Sequence, residues 1–439
     1  MWNTLLVPDE FAGVRPEIPD APAPAERDLL RRLAEKARAI AEEPVMRERK
    51  DLWRRHNGLR SARPMIMADP ECAWEELLPL RDLVCTQPLL RFWELNLRKR
   101  IFQFEIIGDD DVAEPWFDIP WDVRIGDFGA AARKTHGVNR GSFTWTPPIR
   151  DLDRALETIH FRDLAVDRGR TRRQVELANS IFGELLPART RGKYWWTLGM
   201  TGAVIELIGL EELLLAMCDQ PDALHRLMAW MRDEHLRFLE WFEREGLLSD
   251  TNENDYVGSG GIGYTDELPA AGRAPGGPAR LRDIWGFAES QETVGVSPEM
   301  FAEFVFPYQL PLLEKFGLTC YGCCEPVDQR LRILKRIPNL RRVSVSAWAD
   351  EAKCAAALGR DYIYSRKPNP AMICVQFDEA AIRADIRRTL ETAADCNLEL
   401  IMKDTHTLQG EAWRIRRWVQ IAREEIGSGS NPGGLGDGA

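Results

Sequence analysis

The stretch Thr319-Cys320-Tyr321-Gly322-Cys323-Cys324-Glu325-Pro326 completes a predicted strand and precedes a helical pattern that begins at Val327. It belongs to the first of four successive strand-then-helix units in the last third of the chain. The predicted strands are 318–322, 341–346, 361–365 and 398–402, and the helices that follow them are 327–336, 350–357, 378–394 and 410–426. This alternation predicts a parallel sheet with right-handed crossovers.

Earlier units of the same kind make eight strands plausible, which favours an α/β fold of the (β/α)8 TIM-barrel type over an open sheet. We predict an N-terminal arm and helical extension over residues 1–100, the barrel over 101–426, and a disordered Gly- and Ser-rich tail over 427–439. The alternating residues Ile101–Ile107 predict the first strand of the barrel, and further strands are predicted at 194–199 and 247–252. The extension is expected to pack on the main body or on a partner subunit, as in a homodimer.

The charge and the cysteine content restrict the class of protein. A net charge of −11 and a pI near 5.3 argue against binding to nucleic acid or to anionic membranes, which require basic surface. The sequence lacks an apolar run of about 20 residues, the length that a membrane span requires. Nine cysteines are an odd number spread over a long chain, which favours reduced thiols in the cytoplasm.

Polar side chains follow the predicted strands, and in a barrel the carboxyl ends of the strands converge on one pit. We therefore expect these side chains to line a small-molecule site. After the last four strands they are Tyr321, Cys323, Cys324, Glu325, Ser346, Trp348, Arg366, Lys367, Lys403, Asp404 and His406, and earlier units add Asn254, Asp255, Glu289 and Gln291.

The thiols of this set offer soft ligands for Zn²⁺. Cys323, Cys324 and His406 could supply three ligands, with a carboxylate of Glu325, Glu289 or Asp404 as the fourth. The alternative is that both cysteines are small buried core residues. Because adjacent residues of an extended strand point in opposite directions, only one cysteine would face the pit unless the backbone turns there.

The cations and the histidine have their own alternatives. Arg366 and Lys367 could hold a carboxylate or phosphate of the substrate, or form a salt bridge within a loop. His406 is a candidate acid/base group or anion ligand because imidazole titrates near neutral pH.

Three segments resemble the uroporphyrinogen decarboxylase superfamily, in its branch of cobalamin-dependent methyltransferases. They are Ser297-Pro298-Glu299-Met300-Phe301-Ala302-Glu303-Phe304-Val305-Phe306-Pro307-Tyr308, Ile337-Pro338-Asn339-Leu340 with Val343-Ser344-Val345-Ser346, and Ser365-Arg366-Lys367-Pro368-Asn369-Pro370. The resemblance extends over roughly 90–426 and implies a (β/α)8 barrel with N-terminal helices.

The resemblance also implies chemistry at two strand ends. Where zinc-bearing members carry His-x-Cys, this chain has Tyr321-Gly322-Cys323, so Cys323 is the ligand that carries over. At the last strand it has Lys403-Asp404-Thr405-His406 in place of a second Cys. The leading hypothesis is a methyltransferase that moves a methyl group between a small methylated substrate or thiol and a corrinoid on a separate partner protein.

Two other hypotheses remain: a cofactor-free decarboxylase or lyase, and a non-catalytic small-molecule-binding barrel. In the lyase, Arg366 and Lys367 would hold a carboxylate, and Asp255 or His406 would transfer protons. Across these hypotheses we assign catalysis to His406, Asp255, Glu289, Tyr321 and Lys403, substrate binding to Arg366, Lys367, Gln291, Asn254 and Trp348, and metal binding to Cys323, Cys324, Glu325 and Asp404.

Overall fold

Six parallel strands form the central sheet of the protein, in a computed structural model that describes residues 15–136, 143–192, 195–274 and 276–429. The strands are β1 (Met65–Ala68), β2 (Trp285–Ala288), β3 (Leu318–Tyr321), β4 (Leu340–Val345), β5 (Ile363–Arg366) and β6 (Asn397–Met402). Their order in the sheet is β1-β6-β5-β4-β3-β2, so the first strand lies beside the last.

Nearly every residue of these strands is buried, polar residues such as Arg342 and Glu399 included, as is usual for parallel sheets covered on both faces. All neighbouring strands run in the same direction, for example with Ile66 opposite Leu400 and Tyr321 opposite Val343. The carboxyl ends of the six strands therefore meet at one edge of the sheet, where the polar residues of the candidate site follow them.

Fifteen helices surround this sheet in the described part of the chain. They are α1 (Pro24–Glu42), α2 (Pro44–Asn57), α3 (Trp74–Leu77), α4 (Pro88–Phe102), α5 (Arg168–Phe182), α6 (Thr201–Ile208), α7 (Leu210–Asp219), α8 (Pro221–Arg244), α9 (Pro298–Phe304), α10 (Phe306–Leu313), α11 (Leu331–Leu334), α12 (Glu351–Leu358), α13 (Ala371–Cys374), α14 (Glu379–Thr392) and α15 (Trp413–Gly429).

Short strand pairs lie outside the central sheet. Phe117–Pro120 pairs in parallel with Ala188–Arg191, and three pairs are antiparallel: Val123–Ile125 with Leu164–Val166, Arg133–His136 with Phe143–Thr146, and Tyr256–Val257 with Gly261–Ile262. Short 3₁₀-helices cover Glu71–Ala73, Leu80–Asp82, Leu152–Glu157, Leu281–Asp283 and Gln291–Thr293.

The main core lies between the sheet and its helices, and the N-terminal helices have a smaller core of their own. In the smaller core, Leu30, Ala34 and Ala37 of α1 are fully buried together with residues of α4 and α5. Since α5 belongs to the region beyond residue 100, helix α1 of the extension packs against the main body. Strand β1 lies within the residues that the sequence assigned to the extension.

The predicted strand at Ile101–Ile107 is wrong. Helix α4 continues to Phe102, and Gln103–Ile107 forms a π-helical turn that ends at Gly108 in left-handed backbone, φ 69°. Buried Gln103 accounts for the difference, because its side chain donates hydrogen bonds to Ala68 O at 3.1 Å and to Asp109 Oδ2 at 2.8 Å. These tertiary contacts turn an alternating sequence into helix.

The strand predicted at 247–252 is also wrong, because this segment is irregular. The strand predicted at 194–199 is wrong for the same reason, because its described residues, 195–199, are irregular. Lys193 and Tyr194 lie outside the described residues, as do residues 1–14 of the arm and 430–439 of the predicted tail. Helix α15 extends through Gly429, three residues into that tail. None of the helices in the described residues is long and apolar enough to cross a membrane.

Candidate active site

The turn after β3 brings two thiols together. Gly322 has a φ of +92°, and a side chain there would press on Val327 and on Ser344 Cβ at 3.3 Å, so the position favours glycine. The turn is fixed by two hydrogen bonds: Cys323 N donates to Glu325 Oε2 at 2.9 Å, and Ser344 Oγ donates to Cys323 O at 3.0 Å. The Sγ atoms of Cys323 and Cys324 consequently lie 3.5 Å apart.

A lysine ammonium from the end of β6 lies beside these thiols. Lys403 Nζ is 3.6 Å from Cys323 Sγ and donates a hydrogen bond to Ser259 Oγ at 3.0 Å. It is also 3.4 Å from Asp404 Oδ1 and 3.7 Å from Glu71 Oε1. Burial by itself would lower the pKa of Lys403, but its neighbours, Tyr256 and Cys323 foremost, raise it well above the usual lysine value. Lys403 is therefore a buried ammonium.

The groups around Cys323 stabilise its thiolate form. The hydrogen bond from Cys324 is the main cause that lowers the pKa of Cys323 to about 6, against the opposing effect of burial, and Lys403 and Ser259 add to it. The same bond and burial raise the pKa of Cys324. Cys323 is only 2% exposed, whereas Cys324 is half-buried, so Cys324 forms the mouth of the site and Cys323 its floor.

Asp404 lies at the mouth beside Cys324, with Asp404 Oδ2 3.5 Å from Cys324 Sγ. Asp404 has a φ of 57° and Glu71, which follows β1, a φ of 45°. Left-handed backbone is unfavourable for residues with a side chain and is concentrated at functional sites. Both strained residues direct a carboxyl group toward the ammonium of Lys403.

Two glutamates at the ends of β2 and β3 flank the thiols. Glu325 is fully buried and accepts hydrogen bonds from Ser290 N at 2.8 Å and Cys323 N, while burial raises its pKa to about 7. Burial, with Glu292 and Glu325, raises the pKa of Glu289 well above its usual value. Glu289 is therefore a neutral carboxylic acid that can donate a proton.

The structure brings Cys323, Cys324, Lys403, Asp404 and Glu325 into one site, with Glu289 beside it. Tyr321 lies below: its buried hydroxyl donates to Gln309 Oε1 at 2.7 Å and is 3.1 Å from Ser290 Oγ, so it positions the strand ends. Gln291 is half-buried, and its backbone N–H donates to Glu289 Oε2 at 3.1 Å.

The other predicted residues lie apart from the thiols or at the rim. Arg366 pairs with Glu351 at 3.1 Å and is 3.8 Å from Asp385, which corresponds to the salt-bridge alternative. Asp255 pairs with Arg191. The side-chain amide of Asn254 donates to Val112 O, and the buried Nζ of Lys367 donates to Ser365 O at 3.2 Å. His406 is exposed. Trp348 is 71% exposed and lies beside a cleft of about 460 Å³ that Asp328 also lines.

Two functional residues of the site were not foreseen. Glu71 follows β1, a strand too short to show a periodicity. Ser259 lies in Gly258-Ser259-Gly260-Gly261, where side chains at 258 and 261 would overlap Cys320 and Arg342. This run of glycines was the available signal for a loop that approaches the sheet closely.

The donors do not form a zinc site. Within residues 15–136, 143–192, 195–274 and 276–429, no group of three or more His, Cys, Asp or Glu side chains is arranged to hold a metal ion. The ammonium of Lys403 occupies the place beside Cys323, and His406 is exposed. The proposed mechanism therefore gives no role to a zinc ion on these residues.

Comparison with known proteins gives little beyond this geometry. No family model matches the chain, and no curated protein matches it. Among solved structures, it is similar to a methyltransferase from Methanosarcina mazei, with a TM-score of 0.48 and 12% sequence identity over 86% of this chain and 98% of that chain. A likeness of this size carries no conclusion about activity, and the assignment to the uroporphyrinogen decarboxylase superfamily stays a prediction.

Proposed function

We propose that the protein is a methyltransferase in which the thiolate of Cys323 receives the methyl group. The observation that carries the proposal is the position of Cys323 Sγ, 3.6 Å from the ammonium of Lys403 and 3.4 Å from the hydroxyl of Ser259. A thiolate is a strong nucleophile toward carbon, and both neighbours stabilise it without occupying its remaining lone pairs.

The reaction is a displacement at the methyl carbon. The sulfur of Cys323 forms a bond to carbon, the bond between carbon and its former partner breaks, and the electron pair leaves with that partner. Where the leaving atom is oxygen, nitrogen or sulfur, the neutral carboxylic acid of Glu289 supplies the proton that it takes up. Lys403 loses its anionic partner in this step, and the carboxyl groups of Asp404 and Glu71 remain beside it.

The second substrate of this proposal is a corrinoid on a separate protein, following the resemblance of three segments to the cobalamin-dependent methyltransferases. A corrinoid supplies a cobalt-bound methyl group, or accepts one as cob(I)alamin. Zinc, the other cofactor that the resemblance implies, is left out of the proposal because Lys403 occupies the place beside Cys323.

We propose for the fold that the sheet is the larger part of a (β/α)8 barrel. Segments on both sides of the gap between β1 and β2 support it: Asp110 N donates to Ile66 O at 2.9 Å, and Leu198 N donates to Phe287 O at 2.8 Å. In β1, the amides of Ile66 and Ala68 also donate to the carboxylates of Asp110 and Asp109. Two irregular segments, near 110 and 198, would thus complete the ring.

The alternative of a cofactor-free lyase is less well supported. It needs Arg366 as a free cation for a substrate carboxylate, but Arg366 is paired with Glu351. It also needs Asp255 or His406 for proton transfer; Asp255 is paired with Arg191, and His406 is exposed.

The test uses methylcobalamin as the methyl donor under reducing, oxygen-free conditions. We expect the peptide that contains Cys323 to gain the mass of one CH₂ group, together with the absorbance change to cob(I)alamin. Cys323→Ser should lose both signals, and Cys354→Ser, a buried thiol on α12, should keep both. A Cys323→Ser protein that reacts like the wild type would refute the thiolate mechanism. Ligand-induced stabilisation without any transfer would instead support the binding barrel.

A further inference from the structure

Cys323 and Cys324 form a pair of neighbouring thiols rather than two separate ones. The turn at Gly322 directs both side chains to the same side, with 3.5 Å between the two Sγ atoms. Cys324 is half-buried at the mouth, so a molecule as small as hydrogen peroxide reaches the pair through it. Methyl transfer needs only one of these thiols as the nucleophile, and Cys324 takes part in it only through its hydrogen bond to Cys323.

We propose that Cys323 and Cys324 are a modification site at which peroxide closes a reversible disulfide. The groups around each sulfur differ in the way that this chemistry requires. Cys323 Sγ has the ammonium of Lys403 at 3.6 Å and the hydroxyl of Ser259 at 3.4 Å, which stabilise the attacking thiolate. Cys324 Sγ has the carboxylate of Asp404 at 3.5 Å, which accepts its proton.

The reaction balances in two steps. The thiolate of Cys323 attacks one peroxide oxygen, the O–O bond breaks, and the products are a sulfenic acid on Cys323 and hydroxide. The sulfur of Cys324 then attacks the sulfur of Cys323, the S–O bond breaks, and the proton of Cys324 passes by way of Asp404 to the departing hydroxide to make water. One peroxide is reduced for each disulfide formed.

A disulfide between the adjacent residues Cys323 and Cys324 should be easy to reduce. The Cα atoms of adjacent residues are about 3.8 Å apart across a trans peptide, closer than the roughly 4.4–6.8 Å of ordinary disulfides. A bond between neighbours is therefore strained, and strained disulfides are readily reduced and are used for regulation. Closing it removes the thiolate from Cys323, so on the proposed function oxidation switches methyl transfer off.

The test starts from Cys218→Ser, because Cys218 is exposed and would otherwise form disulfides between molecules. After peroxide and alkylation of the remaining thiols, we expect the peptide with Cys323 and Cys324 to be unalkylated and lighter by two hydrogens, and dithiothreitol should restore both thiols. Adding Cys324→Ser should stop the reaction at a sulfenic acid on Cys323, which dimedone traps. Adding Cys396→Ser, a half-buried thiol elsewhere, should leave the disulfide unchanged.

Two results would overturn the inference: full alkylation of both thiols after peroxide, or oxidation of Cys323 to sulfinic acid with the same yield whether residue 324 is Cys or Ser. The failure of the proposed function looks different. If the disulfide forms reversibly but methylcobalamin leaves Cys323 unmodified in the reduced protein, the modification site stands and the methyltransferase proposal falls.

Discussion

Replacing Lys403 with methionine tests the electrostatic basis of the site. The substitution keeps most of the side-chain volume and removes the charge 3.6 Å from Cys323 Sγ. At an effective dielectric constant of about 20, two unit charges at this distance attract by roughly 4–5 kcal/mol, which corresponds to about 3 pKa units as an upper bound. Because the hydrogen bond from Cys324 is the larger cause of the low pKa of Cys323 and remains in place, we expect a rise of roughly 1–3 units.

The assay is the rate at which iodoacetamide alkylates Cys323, followed by peptide mass spectrometry from pH 5 to 10. With a pKa of about 6, about nine-tenths of Cys323 is thiolate at pH 7, and a rise of about 2 units reduces this to about one-tenth. Alkylation at pH 7 should therefore slow by roughly tenfold in Lys403→Met, while Lys403→Arg, which keeps the charge, should stay close to the wild type. An unchanged pH profile in Lys403→Met would refute the assignment of Lys403 as the partner of the thiolate.

Two further predictions concern stability. Arg342, with a hydrogen bond from His56, holds the pKa of buried Glu399 far below its usual value against the effect of burial, so its stabilising effect is present above pH about 4 and is lost at lower pH. Glu399→Gln removes the counter-charge of buried Arg342, so it should cost roughly 3–5 kcal/mol and flatten the acid limb of the stability profile, as measured by urea unfolding against exposed Glu391→Gln. Glu71→Gly relieves left-handed backbone, so urea unfolding should show no loss of stability, with a change of about 0–1 kcal/mol in its favour; a clear loss of stability would mean that the backbone of Glu71 is not strained.

The regular part of the fold was predictable because its patterns are local. The strands β3, β4, β5 and β6 lie within two residues of their predicted positions, since each alternates with a helical pattern along the chain. The strand predicted at Ile101–Ile107 failed for the opposite reason. Its alternation is real, but the contacts of Gln103 with Ala68 and Asp109 come from the tertiary structure and are invisible in the local pattern.

The candidate site was predictable in its location and not in its arrangement. The strand ends identified Cys323, Lys403 and Asp404, but the spacing of two adjacent cysteines argued that only one would face the site. The chain leaves the strand at Gly322 and bends over residues 323–325, which brings both thiols to the site. Ser259 comes from a loop more than 60 residues away in sequence, and no local pattern connects it to Cys323.

The ionisable groups around Cys323 are not all charged at the same pH. Burying every group of the cluster in charged form would be prohibitively unfavourable, and the structure avoids it by keeping carboxyl groups neutral. Burial raises the pKa of Glu71 to about 8 and that of Glu325 to about 7, and keeps Glu289 protonated. What remains buried near neutral pH is chiefly one ion pair, the thiolate of Cys323 with the ammonium of Lys403.

The pKa values of Cys323 and Glu71 also set a pH window for the proposed reaction. Below pH about 6, Cys323 takes up a proton and loses its nucleophilic character. Above pH about 8, Glu71 ionises and competes with the thiolate for the ammonium of Lys403. Methyl transfer should therefore be fastest between these limits, and Glu71→Gln, which stays neutral, should lose the decline on the alkaline side. The acid limb should be unaffected by that substitution, because it belongs to Cys323.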